Sequence, residues 1–493
     1  MSRVGRALRV GALAAVAAGI AVGAARVPGS VQLAEARDRA GLPEVSRVLV
    51  GEATLVCPGQ QRLGATGLGD VAGDVRVAAS AAPPAALTTA GLTPPGGTGQ
   101  VDLERGDSGA VVASGATVDG VVTSPLTTPD LLVARATGAL APGLSATQVW
   151  SRVGDDNRAL VVTPCGLPAA DAWLVGGGAG ASRTERLVVG NPGANAVTVS
   201  FDVFGRTGPV AGAEGRSVSI PPRSRAVVSL EALAPGEPSP AVHVTATGGV
   251  VSAVLSDQWL DGATPRGADD SVPASAPARS QVIAGLDVAA TTSLRLLNPD
   301  TASEALVQVT VLTGSGPDQP AALRAVRVPA GSTVDVDLTL ATGAYGLRLT
   351  SDHAITGAAW TERRAATGDR MGDFAWLPAT PAIRVAAGAE LPGLDTATKR
   401  LLLSAGPRGG SVEVTVATGA ERRTVPVTLA ADTTAALDLA RGDRVWVVAR
   451  GAGDVRGAVS VVGDDAGVPR VAAVPLTDAP VTSLVVPVRQ VGS

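Results

Sequence analysis

The chain repeats itself at the length of a domain. Arg186-Leu187-Val188-Val189-Gly190-Asn191-Pro192 returns as Leu294-Arg295-Leu296-Leu297-Asn298-Pro299, and more loosely as Arg400-Leu401-Leu402-Leu403-Ser404. The spacing is roughly a hundred residues, within the ~50–200 of one domain. It far exceeds the ~20–50 of a solenoid repeat or propeller blade. A chain of 493 residues then reads as a tandem array of about four copies of one small domain. The last copy departs from the pattern, with Ser404-Ala405 in place of Asn-Pro.

Within each copy the apolar residues alternate. Val197, Val199 and Phe201 are answered by Val307, Val309 and Val311, and then by Val412, Val414 and Val416. A period of two puts one face inward and one outward, the pattern of a half-buried antiparallel strand. A Pro-containing turn and a second short run follow: Ile220-Pro221-Pro222 before Ala226–Leu230, and Val328-Pro329-Ala330-Gly331 before Val334–Leu338. That is hairpin or Greek-key chemistry. The expected fold is all-β: about four immunoglobulin-like sandwiches in tandem after an N-terminal export segment, with a β-propeller as the alternative. The boundaries read as 45–168, 172–275, 280–378 and 381–493. The first copy is the divergent one. Its Leu55-Val56-Cys57-Pro58-Gly59 is placed against Val188–Pro192, and its extra Pro/Gly/Ala stretch from Ala82 to Gly97 reads as a surface loop. Short Pro-bearing strands recur at the joints, near Pro164, Pro273, Pro378 and Pro475. Each leads to a further short strand, at Trp173–Gly176, Val282–Gly285, Ile383–Ala386 and Leu484–Pro487, and with Val45–Val50 at the start that makes five copies for four units. Either neighbours share boundary strands or the two ends pair with each other.

The N-terminus looks like an export signal. Arg3, Arg6 and Arg9 precede an uncharged run from Val10 to Ala25, and residues 1–26 read as a signal peptide or signal anchor. Residues 27–44 are a linker, with a helical stretch at Val31–Ala40. The body is expected outside the cytoplasmic membrane, touching it only through an uncleaved N-terminal segment. In an exported chain the cysteine pair, Cys57 and Cys165, reads as a disulfide closing about one repeat length. The net charge of −4 gives no field to hold nucleic acid.

Few motifs suggest chemistry. Gly106-Asp107-Ser108-Gly109 copies a serine-protease loop, but both histidines, His243 and His353, follow it, whereas that family places its base before the serine. Arg105-Gly106-Asp107 and Arg441-Gly442-Asp443 are adhesion-type tripeptides expected by chance in this composition. Acidic pairs recur at Asp155-Asp156, Asp269-Asp270, Asp369 with Asp373, and Asp464-Asp465. They lack the alternating spacing of a calcium loop and read as turn and cap residues. Trp150, Trp259 and Trp360 stand at related places and read as packing residues. No catalytic, metal or cofactor residue is assigned, and the chain is expected not to be an enzyme.

The Asn-Pro strand and its Pro-containing hairpin, behind an export segment and with one cysteine pair, resemble an actinobacterial family of secreted or membrane-anchored proteins of unknown function. Its members are often encoded near a large membrane glycosyltransferase. The resemblance implies a scaffold or accessory role in the cell envelope, with an envelope protein or a glycan as partner. A glycan-binding adhesin is the alternative, and a degenerate serine hydrolase comes last.

Overall fold

The computed structural model describes residues 46–485, apart from 155–156, 181, 213–215 and 368–369. The export segment, the linker with its helical stretch, and Asp155, Asp156 and Asp369 lie outside the described residues. The alternating runs are strands as expected. Val197, Val199, Phe201 and Val203 are buried while Thr198 between them is exposed, and Val307–Val311 and Val412–Val416 repeat the pattern.

Each copy folds as a sandwich of two antiparallel sheets with one strand order. In the first, Glu52–Cys57, Leu132–Gly138, Gly99–Arg105 and Val111–Gly115 make one sheet. Val122–Pro125, Asp74–Ser80, Ser145–Arg152 and Ala159–Pro164 make the other. The fourth sandwich repeats this with Ala386–Glu390, Arg444–Arg450, Gly410–Thr418 and Glu421–Leu429, over Thr434–Asp438, Thr398–Ala405, Val455–Asp465 and Val468–Leu476. In the second and third the outer edge strand is broken in two. In the third, a single strand of 22 residues, Gly343–Arg364, passes from one sheet into the other. Each sandwich has its own apolar core. These are two-sheet sandwiches, not the single-sheet blades of a propeller.

The repeated asparagine is a loop clamp. Asn191 donates Nδ2–H to the carbonyls of Asn195, Ile220 and Pro221 and accepts the Gly193 N–H at 2.9 Å. Asn298 does the same with Ser303, Val328, Pro329 and Asp300. Both are fully buried. Strand register corrects the sequence comparison of the last copy. Asn298 N–H donates to Ser332 O and Ala405 N–H to Thr433 O, so Ala405-Gly406, not Ser404-Ala405, replaces Asn-Pro. There Asp454 takes over the clamp, exchanging backbone bonds with Gly406 and Gly409.

Two further sequence readings are overturned. Glu52–Cys57 pairs with Leu132–Gly138, as Asp171–Val175 pairs with Ala241–Thr247, so it is the first strand of its sandwich. The counterpart of the Asn-Pro strand is Asp74–Ser80. Short apolar runs resemble one another, and only the strand pairing tells the two apart. The insertion is also not only a surface loop. Pro83-Pro84 starts a helix at Pro84–Thr89, as proline favours at a first turn. Its Ala86 and Leu87 are buried with Trp446 and Val448 of the fourth sandwich. At the chain ends, Ser46–Leu49 pairs with Thr482–Val485 as a two-stranded sheet, which decides between the alternatives for the surplus strand.

The joints make a closed cycle. The last strands of the four sandwiches are Ala159–Pro164, Thr264–Ser271, Gly372–Pro378 and Val468–Leu476. Each packs against the last strands of both neighbours, and the fourth returns to the first. Val149, Leu160 and Val162 of the first sandwich belong to the core of the fourth. Backbone bonds from Val50 to Val481 and from Gly143 to Pro480 fasten the same seam.

Candidate functional site: the shared axis

Every last strand is an edge strand of its sheet, so one row of its backbone groups lacks a ladder partner. Leu160, Ala268, Phe374 and Val471 occupy one equivalent place, each four residues before Pro164, Val272, Pro378 or Pro475. Their four N–H groups all donate to one side chain, Asp373. Oδ2 accepts Leu160 at 2.9 Å and Val471 at 3.1 Å, and Oδ1 accepts Ala268 and Phe374 at 3.1 Å each. One carboxylate therefore joins all four sandwiches. Burial pushes its pKa up to about 8, and the four N–H donors pull against that shift. Gly267 makes room for it. At φ +112° this residue uses backbone space that disfavours other side chains, and a Cβ there would overlap Asp373.

Around this axis, buried charges cross each joint. Between the first and second sandwiches, Asp270 accepts Gln61 Nε2 at 2.6 Å, Thr163 Oγ1 at 2.7 Å and Arg62, whose guanidinium lies over Trp150. Between the second and third, Arg295 donates to the carbonyls of Gly176, Gly177 and Pro240 and grips Asp335 with two bonds. Trp376 beneath it donates its backbone N–H to Asp269 at 2.6 Å and its indole N–H to Asp257 at 3.0 Å. Burial, together with Asp270 and Asp373, raises Asp269 well above the usual carboxylate range. Between the third and fourth, Asp287 takes Arg400, Arg363 and Ser460. At the closing joint, Glu390 accepts Ser80 Oγ at 2.7 Å, and burial raises its pKa to about 7.

Asp269, Asp270 and Asp373 are thus strand residues buried at joints, which corrects their reading as turn acids. Asp464 and Asp465 end the strand Val455–Asp465 beside a hairpin turn: Asp464 accepts the Gly467 N–H, and Asp465 pairs with Arg158 of the first sandwich. Among the described residues no group of His, Cys, Asp and Glu is arranged to hold a metal ion.

At the C-terminal end of the four strands lies a cup of about 350 Å³. Pro164 and Cys165, Pro273, Thr380 and Pro475 wall it, one or more from each strand end, with Arg384 and Asp478 also lining it. Cys165 is disulfide-bonded to Cys57, 108 residues away, as expected. Thr380 is buried and its Oγ1 has no hydrogen-bond partner.

The other singled-out residues lie apart. Ser108 Oγ meets Asp107 at 2.9 Å, and Asp107 is gripped by Arg105, so the Arg-Gly-Asp string is paired within itself. That grip lowers the Asp107 pKa to about 2. His243 pairs with Asp171 at 2.6 Å and stacks on Trp173, and His353 faces Asp300. Neither histidine forms a pair with Ser108. Trp150 is buried inside the first sandwich, whereas Trp259 and Trp360 are half-buried in the joint of the second and third, beside Trp376 and Phe374. In the sequence Asp373 reads as a turn acid and Arg295 as one letter of the repeat, and neither is given a role at a joint. The signal available was an acid or a guanidinium inside an otherwise apolar strand, as in Gly372–Pro378 and Thr292–Leu297.

The fold and its axis define an all-β protein in which four sandwiches share one buried carboxylate. The chain belongs to the family of unknown function DUF5719, whose profile matches residues 111–440. No curated protein matches it. Among solved structures it is similar to the pilus adhesin SpaC from Lactobacillus rhamnosus GG in its open conformation, at 10% identity and a TM-score of 0.10. That alignment covers 83% of this chain and 57% of the adhesin chain.

Proposed function

We propose that the protein is a non-enzymatic scaffold or accessory factor of a bacterial cell envelope, working outside the cytoplasmic membrane and supporting a partner such as a glycan-assembly enzyme. The observation that carries this reading is the use of the buried charges. Asp373, Asp270, Arg295 and Asp287 hold sandwiches to one another, which suits a body that must present surfaces at fixed angles. The disulfide fits an oxidising compartment. No helix among the described residues is long and apolar enough to cross a membrane. The adhesin reading draws less support. Glycan binding by stacking uses exposed rings, and the aromatic side chains here are buried or half-buried.

The test is cross-linking in the native envelope followed by purification under denaturing conditions. A discrete protein partner is expected. Retention of polysaccharide with no protein partner would sink the scaffold reading and revive the adhesin.

A further inference from the structure

The first sheet of every sandwich ends in an open edge, and three of the four edges are protected. The second carries Pro209 and Arg216, the third Pro317, Asp318 and Arg327, and the fourth Glu421, Arg422, Arg423 and Pro426. Charge and proline are the means by which an edge strand is kept from pairing with another chain. The first sandwich lacks them. Its edge is Val111–Gly115, and from Gly109 to Val118 the chain has neither a charge nor a proline.

This edge is also apolar. Leu103 faces Ala113 and Glu104 faces Val111, so Val112 is the extra residue of a bulge. Val111 and Val112 are consequently both turned to solvent, 53% and 43% exposed. Val118 and Val121 continue the surface. Of the ten large hydrophobic residues exposed among the described residues, four fall between Val111 and Val121. Singly scattered exposed apolar residues need no explanation, but a concentrated patch does.

We propose that this edge is where a second copy of the chain docks, edge to edge about a two-fold axis. An antiparallel two-fold lays the strand upon itself, the self-complementary arrangement of most dimers. An uncharged strand meets no like charge in that arrangement. The same operation on the fourth edge would have to take three charged side chains and a proline from each copy into the interface. The strand ends are complementary as well. The exposed Arg223 guanidinium lies beside Gly109 at the start of the strand. Asp119, which shares its carboxylate with Arg422, lies just past the end. Antiparallel pairing brings each start to the other copy's end. The proposal stands independently of the scaffold reading.

The test is sedimentation equilibrium of the purified full chain over a wide concentration range. The wild type should show a reversible monomer–dimer equilibrium. Val112→Lys combined with Val118→Lys places like charges across the two-fold and should weaken dimerisation roughly tenfold or more. Both sites are exposed, so the melting temperature of the monomer should not move. Leu306→Lys, at an exposed apolar site on the third sandwich, should leave the equilibrium unchanged. A wild type that is monomeric at every concentration, or a dimer indifferent to the lysine pair, would overturn the proposal.

Discussion

The joint between the second and third sandwiches and the joint that closes the cycle, fourth to first, solve one problem with different chemistry. The first is dense in charge and rings. Arg295 satisfies three carbonyls and a carboxylate at once with Trp376 beneath it, and Arg183 nearby in the same joint lies over Trp259 and Phe374. The closing joint rests on the short helix Pro84–Thr89 against Trp446 and on hydroxyl groups facing Glu390, with the Arg158–Asp465 and Arg422–Asp119 pairs toward its rim. The two also treat their acids differently. Asp335 is bonded by a guanidinium and its pKa is lowered, whereas Glu390 has a hydroxyl partner and its pKa is raised. Consecutive sandwiches are tethered by the chain itself. The closing pair lies far apart in sequence, and its seam holds a buried acid without a bonded cation.

The largest effect is expected where the comparison disappears, at the axis that both joints share. Asp373→Ala leaves four buried N–H groups unpaired, each costing on the order of 1–3 kcal/mol. A loss of about 4 kcal/mol or more should appear as an early, broadened thermal transition in calorimetry. An unchanged melt would mean that the four bonds do not hold the sandwiches.

Arg295→Ala strikes the charge-rich joint alone. Removing this buried guanidinium leaves three buried carbonyls unpaired, at roughly 1–3 kcal/mol each, whereas Asp335, about a third exposed, regains water. Denaturant unfolding should show the second and third sandwiches separating first. The same change made at exposed Arg384 should have little effect.

Glu390 sharpens the comparison through pH. Its folded pKa is about 7, above the ordinary 4.5, so the folded state holds a proton that the unfolded chain releases. The associated stability is fully present below about pH 4.5 and is lost as pH rises through 7. The shift corresponds to roughly 3 kcal/mol. In Glu390→Gln, melting temperature should fall less between pH 4.5 and 7 than in the wild type. Parallel pH profiles would remove Glu390 from the account. Asn298→Ala should be smallest, about 2 kcal/mol, because it unpairs groups within one sandwich and leaves both joints intact.

What the sequence made legible follows from range. Alternation over Val307–Val311 and the Pro-containing turns are local, and they specified sandwiches. The asparagine clamp announced itself by repetition in the second and third copies. The axis did not repeat. Asp373 has Gly267 beside it rather than a second acid, because one axis has room for one carboxylate. Its partners come from sandwiches whose relation no periodic pattern encodes, so the residue looked like a turn acid. The helix at Pro84–Thr89 was hidden for a similar reason: its two buried residues face a sandwich some three hundred positions later. Cys57 and Cys165 were readable because pairing two cysteines needs no geometry.

Hydrogen exchange at Leu160, Ala268, Phe374 and Val471 tests the shared carboxylate most directly. If Asp373 holds all four strands, these amides exchange slowly through one common opening, and Asp373→Ala accelerates all four together. Four unrelated rates in the wild type, or a variant in which only Phe374 responds, would contradict the shared axis.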